Sequence, residues 1–327
     1  MNPVLEVSGL RTHFGIEKRV LPAVRGVDFS LSRGRTLGLV GESGCGKTVT
    51  ALSLMRLVPR PGRIVAGSVR LDRSGGGPLE LLSLPESRMR RIRGRELGMI
   101  FQEPMTSLNP VFTIGEQVRE AIRVHEPLGK KAVRERVIGL LRDVNLPNPE
   151  SRYFDYPHQL SGGQRQRVMI AIALACNPKV LIADEPTTAL DVTVQARILG
   201  LISRLRDRYE MAVLLVTHDL GVVAQATERV AVMYLGRIVE AAATRRLFKA
   251  PAHPYTRGLL DSVPRLGEEK RRLAAVRGAV PTLSRIPAGC SFHPRCPRAG
   301  DICRRESPVP REIGEGHRVE CHFPLNR

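Results

Sequence analysis

The 327 residues contain no tryptophan, five tyrosines and eight phenylalanines. Few rings are available to stack bases, which argues against a nucleic-acid partner although the formal net charge is +19. Long apolar runs are missing too. The longest, Val168 to Cys176, has nine residues, against the ~20 that a membrane-spanning helix needs. The opening MNPVLEVSGL lacks the basic stretch followed by an apolar one that marks a secretory signal. Six cysteines without such a signal argue against a disulfide framework and for metal or redox chemistry. The closely paired cysteines usual in structural zinc sites are also absent. No repeat and no low-complexity tract is present.

What is there reads as one large domain with an appendage. RTLGLVG (35–41), KVLIAD (179–184) and MAVLLVTHD (211–219) are short, continuously apolar and suited to a mostly parallel sheet covered on both faces. VLEVSGL near the start and RVAVMYLGRIVE (229–240) add strands expected to be antiparallel. Between them, KKAVRERVIGLLRDV places Val133, Val137, Leu140, Leu141 and Val144 on one helical face, so residues about 103–175 are expected to form a helical insertion. The basic run RMRRIRGRE (88–96) is expected to be a solvated helix face. Beyond a boundary near 247–253 the chain turns rich in proline, arginine and cysteine, which divides it into 1–250 and 251–327.

GESGCGKT, Gly41 to Thr48, follows a strand and precedes an apolar helix. In G-x-x-x-x-G-K-[ST], glycines let successive backbone amides turn toward phosphates. Gly41, Ser43, Gly44, Cys45 and Gly46 would form that cradle, Lys47 would reach the β- and γ-phosphates, and Thr48 would hold Mg2+. Cys45 would bind through its backbone amide, its side chain mostly a small filler; its position beside Lys47 and a helix N-terminus offers the alternative of a lowered pKa and modest reactivity. Downstream, VLIA leads into Asp184 and Glu185. A strand ending in two acids suits a metal ligand, Asp184, and a residue that orients or deprotonates the attacking water, Glu185. LSGGQ then supplies a second anion-facing helix start at Ser161, Gly162, Gly163 and Gln164. A one-site ATPase needs only one such surface; two copies facing head to tail would use both, each loop meeting its neighbour's LSGGQ.

GESGCGKT, Gln102 in IFQEP, LSGGQ, VLIADEP, TALD and VTHD occur in an order that resembles the ATP-binding subunits of ABC transporters, over roughly residues 5–240. The resemblance implies an α/β fold of the P-loop NTPase, ABC ATPase kind: a mixed sheet with a helical subdomain inserted, here followed by a small cysteine-rich extension. It implies ATP hydrolysis with Mg2+, with Gln102 sensing γ-phosphate and metal, His218 contacting the γ-phosphate, Asp191 at the dimer seam and Phe14 stacking on adenine. FQEPMTSLNP, HPYTRGLLDSVP and the tail motif F-x-P-R-C are similar to the dipeptide/oligopeptide importer branch, whose close relatives carry nickel complexes. The partners implied are a second ATPase subunit in a heterodimer, two membrane permeases and an extracytoplasmic peptide-binding protein, at the cytoplasmic membrane face and without nucleic acid.

Cys290, Cys296, Cys303 and Cys321 complete a tetrathiolate set. Iron–sulfur clusters take four cysteines at wide spacings, and the resemblance implies a 4Fe–4S cluster here; zinc and unligated thiols remain open. His293, His317 and His322 lie near enough in sequence to replace a sulfur. A soluble ABC ATPase acting on ribosomes or DNA would carry two cassettes or a coiled-coil insertion, and only one phosphate loop and no heptads are present. A non-hydrolysing regulatory module would have a degraded Glu185 or LSGGQ, and both are intact.

Overall fold

The computed structural model describes residues 3–16, 19–72, 77–102, 107–188, 190–262, 276 and 278–326. Glu103 to Thr106 of the FQEPMTSLNP stretch, Ala189 of TALD and the last two residues of HPYTRGLLDSVP lie outside them.

The strands are β1 (Leu5–Ile16), β2 (Arg19–Leu31), β3 (Thr36–Val40), β4 (Gly62–Leu71), β5 (Leu79–Glu80), β6 (Leu97–Ile100), β7 (Val180–Asp184), β8 (Ala212–Thr217), β9 (Arg229–Tyr234), β10 (Arg237–Ala243), β11 (Arg311–Glu312) and β12 (Arg318–Val319). The helices are α1 (Lys47–Leu54), α2 (Glu86–Ile92), α3 (Ile114–Arg123), α4 (Lys130–Asp143), α5 (Pro149–Arg152), α6 (Gly162–Ala173), α7 (Val192–Tyr209), α8 (Leu220–Ala226), α9 (Thr244–Lys249), α10 (Pro254–Asp261) and α11 (Asp301–Arg305). They fall into two compact units, one of Met1–Val4, Leu31–Arg35 and Ser83–Leu215, the other of Leu5–Ser30, Thr36–Leu82 and Val216–Arg327.

In the first unit β6 and β7 pair in parallel, Leu97 opposite Val180 and Ile100 opposite Ala183. All five residues of β7 are buried, as its unbroken apolar run requires of a strand covered on both faces. Helix α3 begins with a capping box in which Thr113 and Glu116 each satisfy the other's backbone amide. Its buried face of Ile114, Val118 and Ile122 recurs at helical spacing. On α4 the expected face is buried at Val133, Val137, Leu140 and Leu141. The basic run is helical only as far as Ile92, where the short helix α2 ends, with Met89 and Ile92 inside and Arg90 and Arg91 in its last turn.

In the second unit β1 runs antiparallel to β4 in a four-stranded sheet ordered β2-β1-β4-β5. Strands β9 and β10 are antiparallel to each other, but β9 lies parallel to β3, Leu37 opposite Arg229 and Val40 opposite Val232. The expectation of antiparallel strands therefore holds for one neighbour of β9 and fails for the other. Periodicity reports which faces are covered and says nothing about strand direction. The C-terminal residues complete this sheet: β12 pairs with β10, Val319 opposite Glu240.

Glu240 on β10 is fully buried. Its carboxylate accepts the amides of Ala252 at 2.7 Å and His253 at 2.8 Å, and His317 Nε2 at 2.7 Å. A carboxylate offers no proton there, so that imidazole nitrogen donates. His253 caps α10 by accepting the Tyr255 amide on Nδ1 at 3.0 Å. Burial pushes the His253 imidazole down to about 3. The unfolded imidazole takes up a proton near its ordinary pKa of about 6.5, while the folded one stays neutral until about pH 3. Between those limits the unfolded state holds more protons, so stability falls as pH falls, by about 1.4 kcal/mol per unit; above about 6.5 this group contributes no slope. Acid titration of the melting midpoint should show that slope, and His253→Asn, which keeps a capping acceptor, should flatten it.

Candidate functional site: the phosphate loop, the acidic strand end and the LSGGQ helix

The loop between β3 and α1 needs its glycines for space. A Cβ on Gly41 would collide with the Met233 carbonyl, and one on Gly46 (φ +105°) with the Ala23 carbonyl. Gly46 stands immediately before α1, so the loop's amides and the positive helix end face the same way. Lys47 is 5% exposed. Its Nζ donates to the carbonyls of Gly41 at 2.8 Å and Glu42 at 3.1 Å, which holds the ammonium across the loop. Ser43 and Gly44 are exposed and Thr48 is half-buried. The arrangement can surround a polyphosphate with backbone amides and one cation.

At Cys45 the structure favours the filler over the alternative of a reactive thiol. It is fully buried, and burial raises its pKa against the opposing pull of Lys47. The thiol is a filler whose reactivity is governed by the desolvation of its thiolate. Maleimide labelling at pH 7.5 should leave Cys45 unmodified for as long as the fold persists. Modification at the rate of a free thiol would contradict the placement.

In the same unit, Phe14 on β1 is half-buried and faces Gly62 across the β1–β4 pairing. A side chain on Gly62 would meet the Phe14 ring at 2.6 Å, so the glycine makes room for it. His218 is exposed at the end of β8, one residue before the Asp219 cap of α8.

In the first unit, Asp184 closes β7 and is 2% exposed. A buried carboxylate at a strand end suits a hard, oxygen-preferring cation such as Mg2+. Glu185 follows with φ +46°, a left-handed conformation that carries strain for a non-glycine residue. Its Oε2 accepts Thr188 Oγ1 at 2.8 Å and Gln102 Nε2 at 3.3 Å. Gln102 and Glu185, 83 positions apart, are thus brought side by side. Ser161 opens α6 with a capping box: Gln164 N donates to Ser161 Oγ at 3.4 Å and Ser161 N to Gln164 Oε1 at 2.9 Å. The exposed serine and the partly exposed glycines leave the helix start open. Gly163 sits tight under α7, where a Cβ would meet Val194 at 3.0 Å. Asp191 caps α7 by accepting the Val194 amide at 2.9 Å, a role in its own chain that the sequence reading did not assign.

Cys290, Cys296, Cys303 and Cys321 line one cavity, together with His293 and His322. The space is about 10 Å³, room for one water-sized sphere. Burial raises the pKa of Cys290 and Cys296, and raises that of Cys321 to about 11, so these three thiols stay protonated until a cation replaces their protons. Among the described residues no group of three or more His, Cys, Asp or Glu is already arranged as a metal site; the sulfurs converge without closing to ligand geometry. His317 is committed to Glu240, which removes it as a replacement ligand.

Three residues outside the expected set belong to this region. Glu42 N donates to Tyr255 Oη at 2.9 Å, and the Glu42 carboxylate takes both Arg295 terminal nitrogens at 2.7 and 2.9 Å. The hydrogen bond to Glu42 raises the Arg295 pKa further. Tyr255 and Arg295 lie in the stretches HPYTRG and F-x-P-R-C, whose local pattern carries no sign of these distant contacts.

The family profile described as "ABC transporter" matches residues 24–188, spanning the phosphate loop, LSGGQ and the acidic strand end. The chain belongs to the ABC transporter family. It is an ABC ATPase, with ATP and Mg2+ as the fitting nucleotide and metal. A second profile, "Oligopeptide/dipeptide transporter, C-terminal region", matches residues 239–303 and so takes in Tyr255 and Arg295. The oligopeptide transport ATP-binding protein AppD of Bacillus subtilis is 51% identical over 98% of this chain and 97% of its own length. The dipeptide transport ATP-binding protein DppD of Escherichia coli is 47% identical over 99% of this chain and 97% of its own length. A dimeric ATP-binding cassette, MJ0796, solved in a post-hydrolysis state bound to ADP and Pi, superposes with TM-score 0.65 at 26% identity, covering 74% of this chain and 99% of that one. Among the described residues, no helix of this ABC ATPase is long and apolar enough to cross a membrane.

Proposed function

We propose that this ABC ATPase energises a peptide importer from the cytoplasmic membrane face. The observation that supports it is the near-full-length likeness to AppD and DppD, continued through the C-terminal region. In this reading residues 1–250 are the ATP-binding cassette, with a helical subdomain at about 103–175, and 251–327 are the extension. The amides of Gly41 to Thr48 and the Lys47 ammonium would hold the phosphates, Phe14 would stack on the adenine, and Thr48, Asp184 and Gln102 are the residues that would hold Mg2+. Glu185 takes or orients the proton of the attacking water, and His218 meets the γ-phosphate. Ser161, Gly162, Gly163 and Gln164 of a second, related subunit complete the same site, with Asp191 at the seam. ATP acts through its differential affinity for that closed pair. The exposed apolar side chains Val111, Phe112, Phe154 and Tyr156 in the helical region suit contact with permeases.

The cysteine cavity belongs to the same reading. Four thiols around one space suit a metal group in number and chemistry. The reading prefers a 4Fe–4S cluster over zinc, and a cluster requires the loops carrying the thiols to spread. Such a group would supply a staple for a tail that buries little apolar area. Iron and sulfide analysis with the visible spectrum decides between them: about four irons per chain and brown protein support the cluster, whereas one zinc and no colour refute it.

The functional test is recovery of the tagged chain from detergent-solubilised membranes, paired with uptake of a labelled dipeptide. Co-purification of a second ATPase subunit and two permeases, with uptake abolished by Lys47→Ala, is the expected result. A chain recovered only with ribosomes or DNA would overturn it.

A further inference from the structure

Glu42, second residue of the phosphate loop, is held from two directions by C-terminal residues: Tyr255 Oη accepts its amide, and Arg295 grips its carboxylate with both terminal nitrogens. A two-pronged guanidinium–carboxylate pair fixes orientation as well as distance. The Arg295 side chain is 4% exposed and that of Glu42 27%, so this is not one of the solvated surface pairs that contribute little.

Arg295 itself has little freedom. Its Nη2 also donates to the Val276 carbonyl at 3.2 Å, and its guanidinium lies 5.8 and 6.0 Å from the ring centres of Tyr234 and Phe292. It ends the short turn His293–Arg295, between Cys290 and Cys296. That turn is locked by Phe292, 2% exposed, whose ring packs at 5.3 Å from those of Tyr234 and Tyr255. The preceding residue, Ser291, accepts Arg25 Nη1 at 2.8 Å, and the same nitrogen reaches the Leu235 carbonyl at 3.3 Å. Gly236 beside it donates to the Cys45 carbonyl at 2.8 Å. The turn between two cysteines therefore reaches the phosphate loop at both Glu42 and Cys45.

A phosphate loop binds through backbone amides whose spacing must match the anion. Lys47 rests on the carbonyls of Gly41 and Glu42, so a shift of Glu42 moves the cation and the cradle together. We propose that Arg295 is a positioning residue for ATP, and that through it the Cys290–Cys296 turn and the phosphate loop set one another's geometry. The proposal rests on the ATP-binding reading but not on what the four thiols hold. Coupling of this kind is reciprocal: whatever the turn does to ATP affinity, ATP does to the turn.

The test is titration of a fluorescent ATP analogue into the full chain as purified, comparing wild type with Arg295→Lys, which keeps the charge but loses the planar fork, and Glu42→Gln, which keeps size and shape. Each should weaken binding at least about ten-fold, and in Arg295→Lys saturated turnover should change less than about two-fold. The charge-swapped pair E42R/R295E should recover part of the loss, and the separation of affinity from turnover in Arg295→Lys is the readout that a merely structural role would not give. In parallel, ATP should slow hydrogen exchange of the backbone amides of residues 290–296 at least about three-fold in wild type and not in E42Q. Unchanged analogue affinity in both single variants overturns the proposal, as does exchange that ATP slows equally in wild type and E42Q. A wild-type chain that binds no nucleotide overturns the ATP reading and this proposal together; tight wild-type binding with indifferent variants overturns the proposal alone.

Discussion

Glu185→Gln is expected to lower ATP hydrolysis by about 10²–10⁴-fold, the range lost with a general base, while ATP-bound dimers accumulate. The residue follows the buried Asp184 at the end of β7, and its Oε2 is already oriented by Thr188 and Gln102. Glutamine preserves size and can still accept the Thr188 hydroxyl, so the site stays assembled. What it loses is the ability to take a proton from water. Phosphate release and light scattering after gel filtration, each with and without ATP, measure the two halves of the expectation. Full turnover in the variant would remove Glu185 from the chemistry.

The largest stability effect is expected at Glu240→Ala. The wild-type carboxylate is fully buried and satisfies the amides of Ala252 and His253 and the ring nitrogen of His317. Removing it strands three buried donors, and breaking buried networks of this kind costs about 3–5 kcal/mol. The melting midpoint should fall by about 10 °C, and the β10–β12 pairing should lose hydrogen-exchange protection first. Glu240→Gln, which keeps an acceptor oxygen, should lose less. A midpoint within about 1 °C of wild type would show that the network contributes little.

The two predictions differ in how they became visible. Glu185 is marked by local context, because an apolar strand running into two acids downstream of a phosphate loop has few other uses. Glu240 stands in a run, GRIVEAAA, that announces only a strand. Its partners come from 12, 13 and 77 positions away, and no spacing rule connects them. Cys45 shows how two local readings are separated by burial. Sequence neighbours argued for a lowered pKa, but the neighbours that matter are those that bury the thiol, and they arrive from elsewhere in the chain.

From residue types and order alone came the phosphate loop, the strand that ends in Asp184 and Glu185, the helix start at Ser161 and the apolar faces of α4 and β7. Each depends on backbone geometry or periodicity within a few residues, and such constraints are written in short stretches. Folding was needed to set Gln102 against Glu185, to lay β9 parallel to β3, to gather four cysteines around one space and to bring Arg295 onto Glu42 across 253 positions. Those outcomes follow from which buried surfaces meet, a property of the whole packed chain that no short window contains.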